Sequence, residues 1–175
     1  MLLNIIGSKD ARLRKESRPV SALDKKILKL ISDMKETLVA QKDPEGVGLA
    51  APQVGKNMQI FVVNYEDMKL RAFINPKIIE IAEKQKIERK DDKDILEGCL
   101  SIPHYYGPVS RSEWVKISYM DEKGKKKVEE FDGFVAHIIQ HEIDHLHGRL
   151  FIDHILEHES PLYLIKGDEW EEVEL

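Results

Sequence analysis

The sequence predicts an α+β domain: antiparallel, strongly curved sheets packed around a central helix that bears an H-E-x-x-H pattern. Three observations lead there. Apolar residues Ile27, Ile31, Met34 and Leu38 repeat at helical spacing near the start. Strand-like segments and a hairpin fill the middle, and a second helical stretch carrying His141-Glu142-Ile143-Asp144-His145 comes after them. Helix, then a run of strands, then helix reads as α+β rather than as alternating βαβ units.

At 175 residues the chain is one domain, 1–175, with a core over 1–159 and an acidic tail over 160–175. It is 42% hydrophobic and 34% charged, an ordinary globular balance. The net charge of -5 gives no general case for a nucleic-acid partner. No apolar run approaches the roughly 20 residues a membrane helix needs. The opening Met1-Leu2-Leu3-Asn4-Ile5-Ile6 lacks the basic start of a signal peptide, so a cytoplasmic location is expected. Cys99 is the only cysteine, which excludes an internal disulfide and leaves a buried thiol, a nucleophile or a metal ligand.

Residues 1–22 read as an extended opening segment. Ser21 and Asp24 are candidate N-caps for a helix over about 24–41, whose lysine-rich face is solvated, and Lys42-Asp43-Pro44-Glu45 ends it. Gly46-Val47-Gly48-Leu49-Ala50-Ala51-Pro52-Gln53-Val54-Gly55 fits G-x-G-x-x-A superficially. No strand is predicted before it, and Pro52 falls where a helix would gain its first turns, so a dinucleotide loop is rejected. The run is either a glycine turn packed on the core or a strand whose backbone lies open to a ligand.

Strands are expected over 58–64, 70–74 and 78–87, with Asn75-Pro76 as a turn between the last two. Residues 88–94 read as an exposed charged loop. Segments 114–120 and 126–131 flank Asp121-Glu122-Lys123-Gly124 as a β-hairpin. The second helix takes Asp132 as its candidate N-cap and Gly148 as its stop. Leu150-Phe151-Ile152 is a short apolar run, and the chain closes on acidic residues Asp168, Glu169, Glu171, Glu172 and Glu174.

Residues four apart on a helix share a face, so His141 and His145 can hold one metal ion while Glu142 reaches a water on it. The competing reading is an amphipathic helix that happens to carry histidines. The longer H-E-x-x-H-x-x-G pattern starts the metzincin signature, but Phe151 stands where its third histidine belongs. A thermolysin-type carboxylate ligand has only undistinguished candidates in Asp153, Glu157, Glu159 and Glu169. Cys99 offers a third ligand of another kind: one thiolate and two imidazoles leave a fourth position for water.

Gly46-Val47-Gly48-Leu49-Ala50-Ala51-Pro52-Gln53, Glu97-Gly98-Cys99-Leu100-Ser101 and Gln140-His141-Glu142-Ile143-Asp144-His145 together resemble, in order, the three signature motifs of peptide deformylase. The resemblance runs from Leu13-Arg14 through Arg18-Pro19-Val20 to Phe151-Ile152-Asp153. It implies that Cys99, His141 and His145 bind one divalent metal per chain, natively Fe²⁺, with Ni²⁺, Co²⁺ or Zn²⁺ able to substitute. It implies Glu142 as general base and then acid, Gln53 and the Leu100 backbone N–H as oxyanion donors, and the Gly46-Val47-Gly48 strand as the edge that pairs with substrate. The implied substrate is the N-formyl-methionyl end of a nascent chain, and the products are formate and a free amine. Methionine preference calls for an apolar pocket, with Leu100 and His137 as candidate lining. Asp144 is expected to orient a ligand from behind or, the favoured reading, to be a surface ion-pair partner, rather than to be a ligand itself.

Leu96 stands where this family commonly has a glutamate. Some relatives end in a basic helix suited to ribosomal RNA; here the acidic tail would be repelled, so ribosome proximity is not expected to run through it. A metalloprotease or other amidase is the enzymatic alternative. A metal-bound structural or sensor domain is the non-enzymatic one.

Overall fold

The computed structural model describes residues 1–82 and 95–174. Helix α1 (Lys25–Ala40) starts as expected, because the Asp24 carboxylate accepts from the backbone N–H groups of Lys26 and Ile27. It buries Ile27, Ile31, Met34 and Leu38, the stripe the sequence had set at helical spacing. Short strand β1 (Gly48–Ala50) follows, then a 3-10 turn over Ala51–Val54 that begins at the 51–52 Ala-Pro step. Pro52 therefore does break the run, as its missing N–H requires.

Five strands form an antiparallel sheet in the order β1-β2-β3-β6-β7, with β2 (Ile60–Val63), β3 (Arg71–Ile81), β6 (Trp114–Met120) and β7 (Lys126–Asp132). The hairpin of β6 and β7 keeps an unbroken register from Trp114 opposite Asp132 to Met120 opposite Lys126. One expectation fails. Asn75-Pro76 is a bulge inside one continuous strand rather than a turn between two. The Asn75 side chain accepts from the Val20 N–H and donates to the Val20 carbonyl. That contact holds Asn75 in a left-handed conformation (φ 50°) while the strand carries on. The remainder of the strand expected over 78–87, and the loop expected over 88–94, lie largely outside the described residues.

Alternation along the strands places this sheet between two helices. Ile60, Val62, Ala72, Ile74 and Leu49 pack against α1. Phe61, Val63, Phe73 and Ala50, which point the other way, pack against helix α2 (Gly133–Leu146). Strands buried on both faces explain the continuous apolar run of Ile60–Val63. Ala136, Ile139, Ile143 and Leu146 face the sheet, so α2 lies in the centre of the molecule. Asp132 sits at its N-cap without a side-chain capping bond, and Gly148 turns the chain away after its end at φ 71°.

A second antiparallel sheet runs β4-β5-β8-β9, with β4 (Leu96–Cys99), β5 (Ile102–Pro108), β8 (Leu162–Lys166) and β9 (Glu169–Val173). Helix α3 (Phe151–Glu157) starts within the short apolar run and buries Phe151 and Ile155 beside Leu13, Cys99 and Leu162. The acidic segment expected as a tail folds as the β8–β9 hairpin, with β8 paired to β5 through Tyr105 and Tyr106. Among the described residues no helix is long and apolar enough to cross a membrane.

Ile139 is fully buried where α2 meets the sheet. Ile139→Ala is expected to cost about 3 kcal/mol, the usual range for emptying such a site. Urea denaturation measures it, and a change below about 1 kcal/mol would mean that α2 is not held by this packing.

Candidate active site

Two elements converge. Strand β4 buries Glu97 and Cys99, two residues apart and therefore on one side of the strand. Helix α2 presents His137, His141 and His145 along one line at four-residue spacing, all buried. The Cys99 Sγ lies 3.3 Å from His145 Nε2, and the two imidazole Nε2 atoms lie 3.1 Å apart. Within this trio the ligating atoms are all within 4.8 Å of one another. Among the described residues it is the one group of histidine, cysteine or carboxylate side chains so placed.

The donor set fits a divalent ion. The Nδ1–H of His141 donates to Glu97 Oε1 at 2.5 Å, which leaves the Nε2 lone pair for a metal. Burial disfavours charge on Cys99 and His141, but attraction to their neighbours overrides it. The imidazoles beside Cys99 bring its thiol down to about 5. His141 is held well above the usual imidazole range by Glu97 and Cys99. A thiolate beside two imidazoles is a donor set that a divalent cation takes, releasing protons as it binds.

Glu97 was not singled out as a site residue in its own right, although it stands in the motif beside Cys99. Its two oxygens fill four places. Oε1 meets His141 and Arg111 Nη2 at 2.6 Å; Oε2 meets His137 Nε2 at 2.6 Å and Arg111 Nε at 3.0 Å. Although burial raises its pKa, Arg111 and the two histidines hold it well below the carboxylate range. Arg111 carried no signal in the sequence. Its Nη1 continues to Asp144 Oδ2 at 2.6 Å, which also meets His154 Nε2 at 2.7 Å. Asp144 is therefore no ligand, and it is a part-buried member of this chain of charges rather than a surface ion pair.

Glu142 is buried and its Oε2 has no partner among the described residues. Burial pushes its carboxyl up to about 7. Gly48 is what lets the β1 backbone approach it, because a methyl group there would overlap the Glu142 carboxylate. Gln53 sits in the 3-10 turn after β1. Its Oε1 accepts from the Ala50 N–H at 2.8 Å, which turns its Nε2 toward Cys99 Sγ (3.4 Å) and Ser101 Oγ (3.3 Å).

These groups open on a cavity of about 200 Å³ lined by Gly46, Val47, Gly48, Leu100, Tyr106 and Phe134, with Leu96, His137 and Ile138 completing the wall. That is smaller than the roughly 300 Å³ at which whole-ligand pockets begin, so it suits a side chain rather than a dinucleotide. Gly46 and Val47 precede β1, which forms the edge of its sheet. Leu100 and His137 both line the cavity, and His137 is also tied to Glu97. Leu96 lines it with an apolar side chain. Phe151 lies in the core, Asp153 pairs with Arg14, Glu157 pairs with Arg149, and neither Glu159 nor Glu169 belongs to the ligand group.

Residues 2–160 match the family model described as polypeptide deformylase. The chain is 44% identical over 144 residues to a peptide deformylase of Pseudothermotoga lettingae, covering 82% of this chain and 77% of that one. It is 45% identical over 139 residues to a peptide deformylase of Treponema pallidum, covering 79% of each. Its structure resembles the peptide deformylase of Synechococcus elongatus in complex with actinonin, with a TM-score of 0.76, 40% identity and coverage of 87% and 78%. It resembles that of Thermotoga maritima with a TM-score of 0.76, 37% identity and coverage of 88% and 97%.

Glu97→Gln is expected to lower metal affinity 10- to 100-fold, because the ring of His141 loses its charged orienting partner. Competition with a chelator reads it directly, and unchanged affinity would remove Glu97 from the site.

Proposed function

The chain belongs to the polypeptide deformylase family, and we propose which of its residues carry the family's reaction, hydrolytic removal of the N-formyl group from the initiator methionine of newly made proteins. The observation that carries this reading is one thiol and two imidazoles gathered at a cleft that also holds an unpartnered buried carboxylate oxygen. Cys99, His141 and His145 hold one divalent ion. When bound, the ion supplies Lewis acidity and brings the pKa of water toward about 7.

Glu142 takes the proton from the attacking water and returns it to the leaving amine nitrogen. The formyl C–N bond breaks, and formate and a free amine leave. Gln53 Nε2 and the Leu100 N–H donate to the oxygen that becomes negative, where losing one donor typically costs about 3 kcal/mol. Gly46, Val47 and Gly48 form a backbone edge that pairs with the extended peptide. The apolar wall of Leu100, Phe134, Ile138 and His137 takes the methionine side chain. Asp144 and Arg111 act through Glu97 by fixing where His141 stands.

We assign Fe²⁺ as the native ion, with Ni²⁺, Co²⁺ and Zn²⁺ as substitutes. A soft thiolate beside two imidazoles admits all four. The site works on nascent chains in the cytoplasm, near the ribosome. The acidic β8–β9 hairpin does not dock on RNA, since carboxylates repel phosphate.

Two variants separate this reading from its rivals. Cys99→Ala is expected to lose the metal, which a histidine–carboxylate protease would keep. Glu142→Gln is expected to keep the metal and lose formate release from formyl-Met-Ala-Ser; equal turnover by variant and wild type would end the enzymatic assignment. The iron assignment predicts activity that decays in air and survives under reductant. Full, oxygen-insensitive activity with zinc alone would contradict it.

A further inference from the structure

The five-stranded sheet ends at β7, whose outer edge no other strand covers among the described residues. The ladder with β6 fixes which groups lie on that edge. At the hairpin's turn the Asp121 N–H donates to the Lys125 carbonyl, and at its open end the Gly133 N–H donates to the Glu113 carbonyl. Both pairs continue the register that sets Ile117 opposite Glu129. Hydrogen-bonded and non-hydrogen-bonded pairs alternate along an antiparallel ladder. Lys127, Glu129 and Phe131 therefore turn their backbone groups to β6, while Lys126, Val128 and Glu130 turn theirs outward. The side chains of those outward three are exposed, that of Val128 in a residue 57% open to solvent.

The charges on this edge run Lys126-Lys127-Val128-Glu129-Glu130, an order that complements itself. A copy related by a two-fold axis through Val128 lies antiparallel to it. That copy sets Glu130 opposite Lys126 and Glu129 opposite Lys127, each twice, with the two Val128 side chains meeting at the centre. The outward backbone groups agree, since Val128 meets Val128 and Lys126 meets Glu130 as hydrogen-bonded pairs. A slip of two residues brings Lys127 against Lys127 or Glu129 against Glu129, and parts Lys126 from Glu130. Like charges directly opposite are destabilising, so the register about Val128 is selected. Lys127 already neighbours Asp121, and Glu129 holds Arg71 and Tyr119. Lys126 and Glu130 have no ion pair among the described residues and are left for a partner. Edge strands are commonly guarded by charge. A guard of one sign would repel every copy, whereas this one repels the wrong registers.

We propose that β7 pairs with β7 of a second copy of the chain, joining two five-stranded sheets into one of ten strands. The cleft is bordered by β1, at the opposite edge of the same sheet, so both clefts stay open in the pair. One strand a side is smaller than the roughly 20–30 residues a side of a standard interface, which makes the dimer weak and reversible.

Sedimentation equilibrium of the full chain tests this. The wild type is expected to pass from monomer to dimer between about 1 μM and 1 mM. Lys126→Glu and Glu130→Lys should each weaken the dimer about tenfold, because symmetry makes each substitution count twice and an exposed pair is worth a few-fold. An equimolar mixture of these two variants should dimerise as the wild type does, since each then meets the charge it lacks. Val128→Pro should abolish the dimer while circular dichroism shows a folded monomer, because the N–H it removes points away from β6. A wild type that stays monomeric throughout would overturn the proposal. So would a dimer that Val128→Pro and both charge variants leave intact, or a mixture that associates no more tightly than either variant alone. Growth past the dimer would show open-ended pairing in place of a two-fold and overturn it as well.

Discussion

Glu97 is the point on which the site's geometry depends. A carboxylate taken out of water costs several kcal/mol unless its lone pairs are met. Here Arg111 meets both oxygens, His137 meets one and His141 the other. Two of those partners stand on α2, while Glu97 stands on β4 of the other sheet. The contact therefore joins the two sheets' frameworks. Cys99, two residues further on the same side of the strand, is brought to the helix by the same junction.

The helix itself has little freedom. It is buried against a sheet whose central strands are covered on both faces, by α1 on one side and α2 on the other. Close packing of this kind leaves few alternative positions for a side chain at the interface. The histidines thus inherit their positions from residues such as Ile139 and Ile143, which pack in the core against the sheet. A rigid frame suits a reaction that needs donors in place before charge develops.

Much of this was legible in the chain. The four-residue spacing of His141 and His145 announces a shared helical face, and Cys99 offers a third candidate ligand where the metzincin signature fails at Phe151. The α1 stripe and the β6–β7 hairpin follow from periodicity and turn residues alone. Asn75-Pro76 misled, since a dipeptide typical of turns can equally seat a bulge when its side chain finds a distant backbone partner. The acidic segment, named only as a tail from its composition, folds as a hairpin. Its charges face outward from an edge strand, while Leu162 and Tyr163 supply the packing and pairing that order it.

By itself the sequence determined the family and pointed to the candidate ligands and the candidate proton carrier, because those rest on residue type and short motifs, which a helix or a short turn converts directly into geometry. Only the tertiary structure decided that Arg111 and Asp144 support His141 through Glu97, that Gly48 makes room for Glu142, and that the Trp170 ring meets that of Tyr106. Each of these joins residues far apart in the chain, and no periodicity along one strand or helix encodes which distant partner its face will meet.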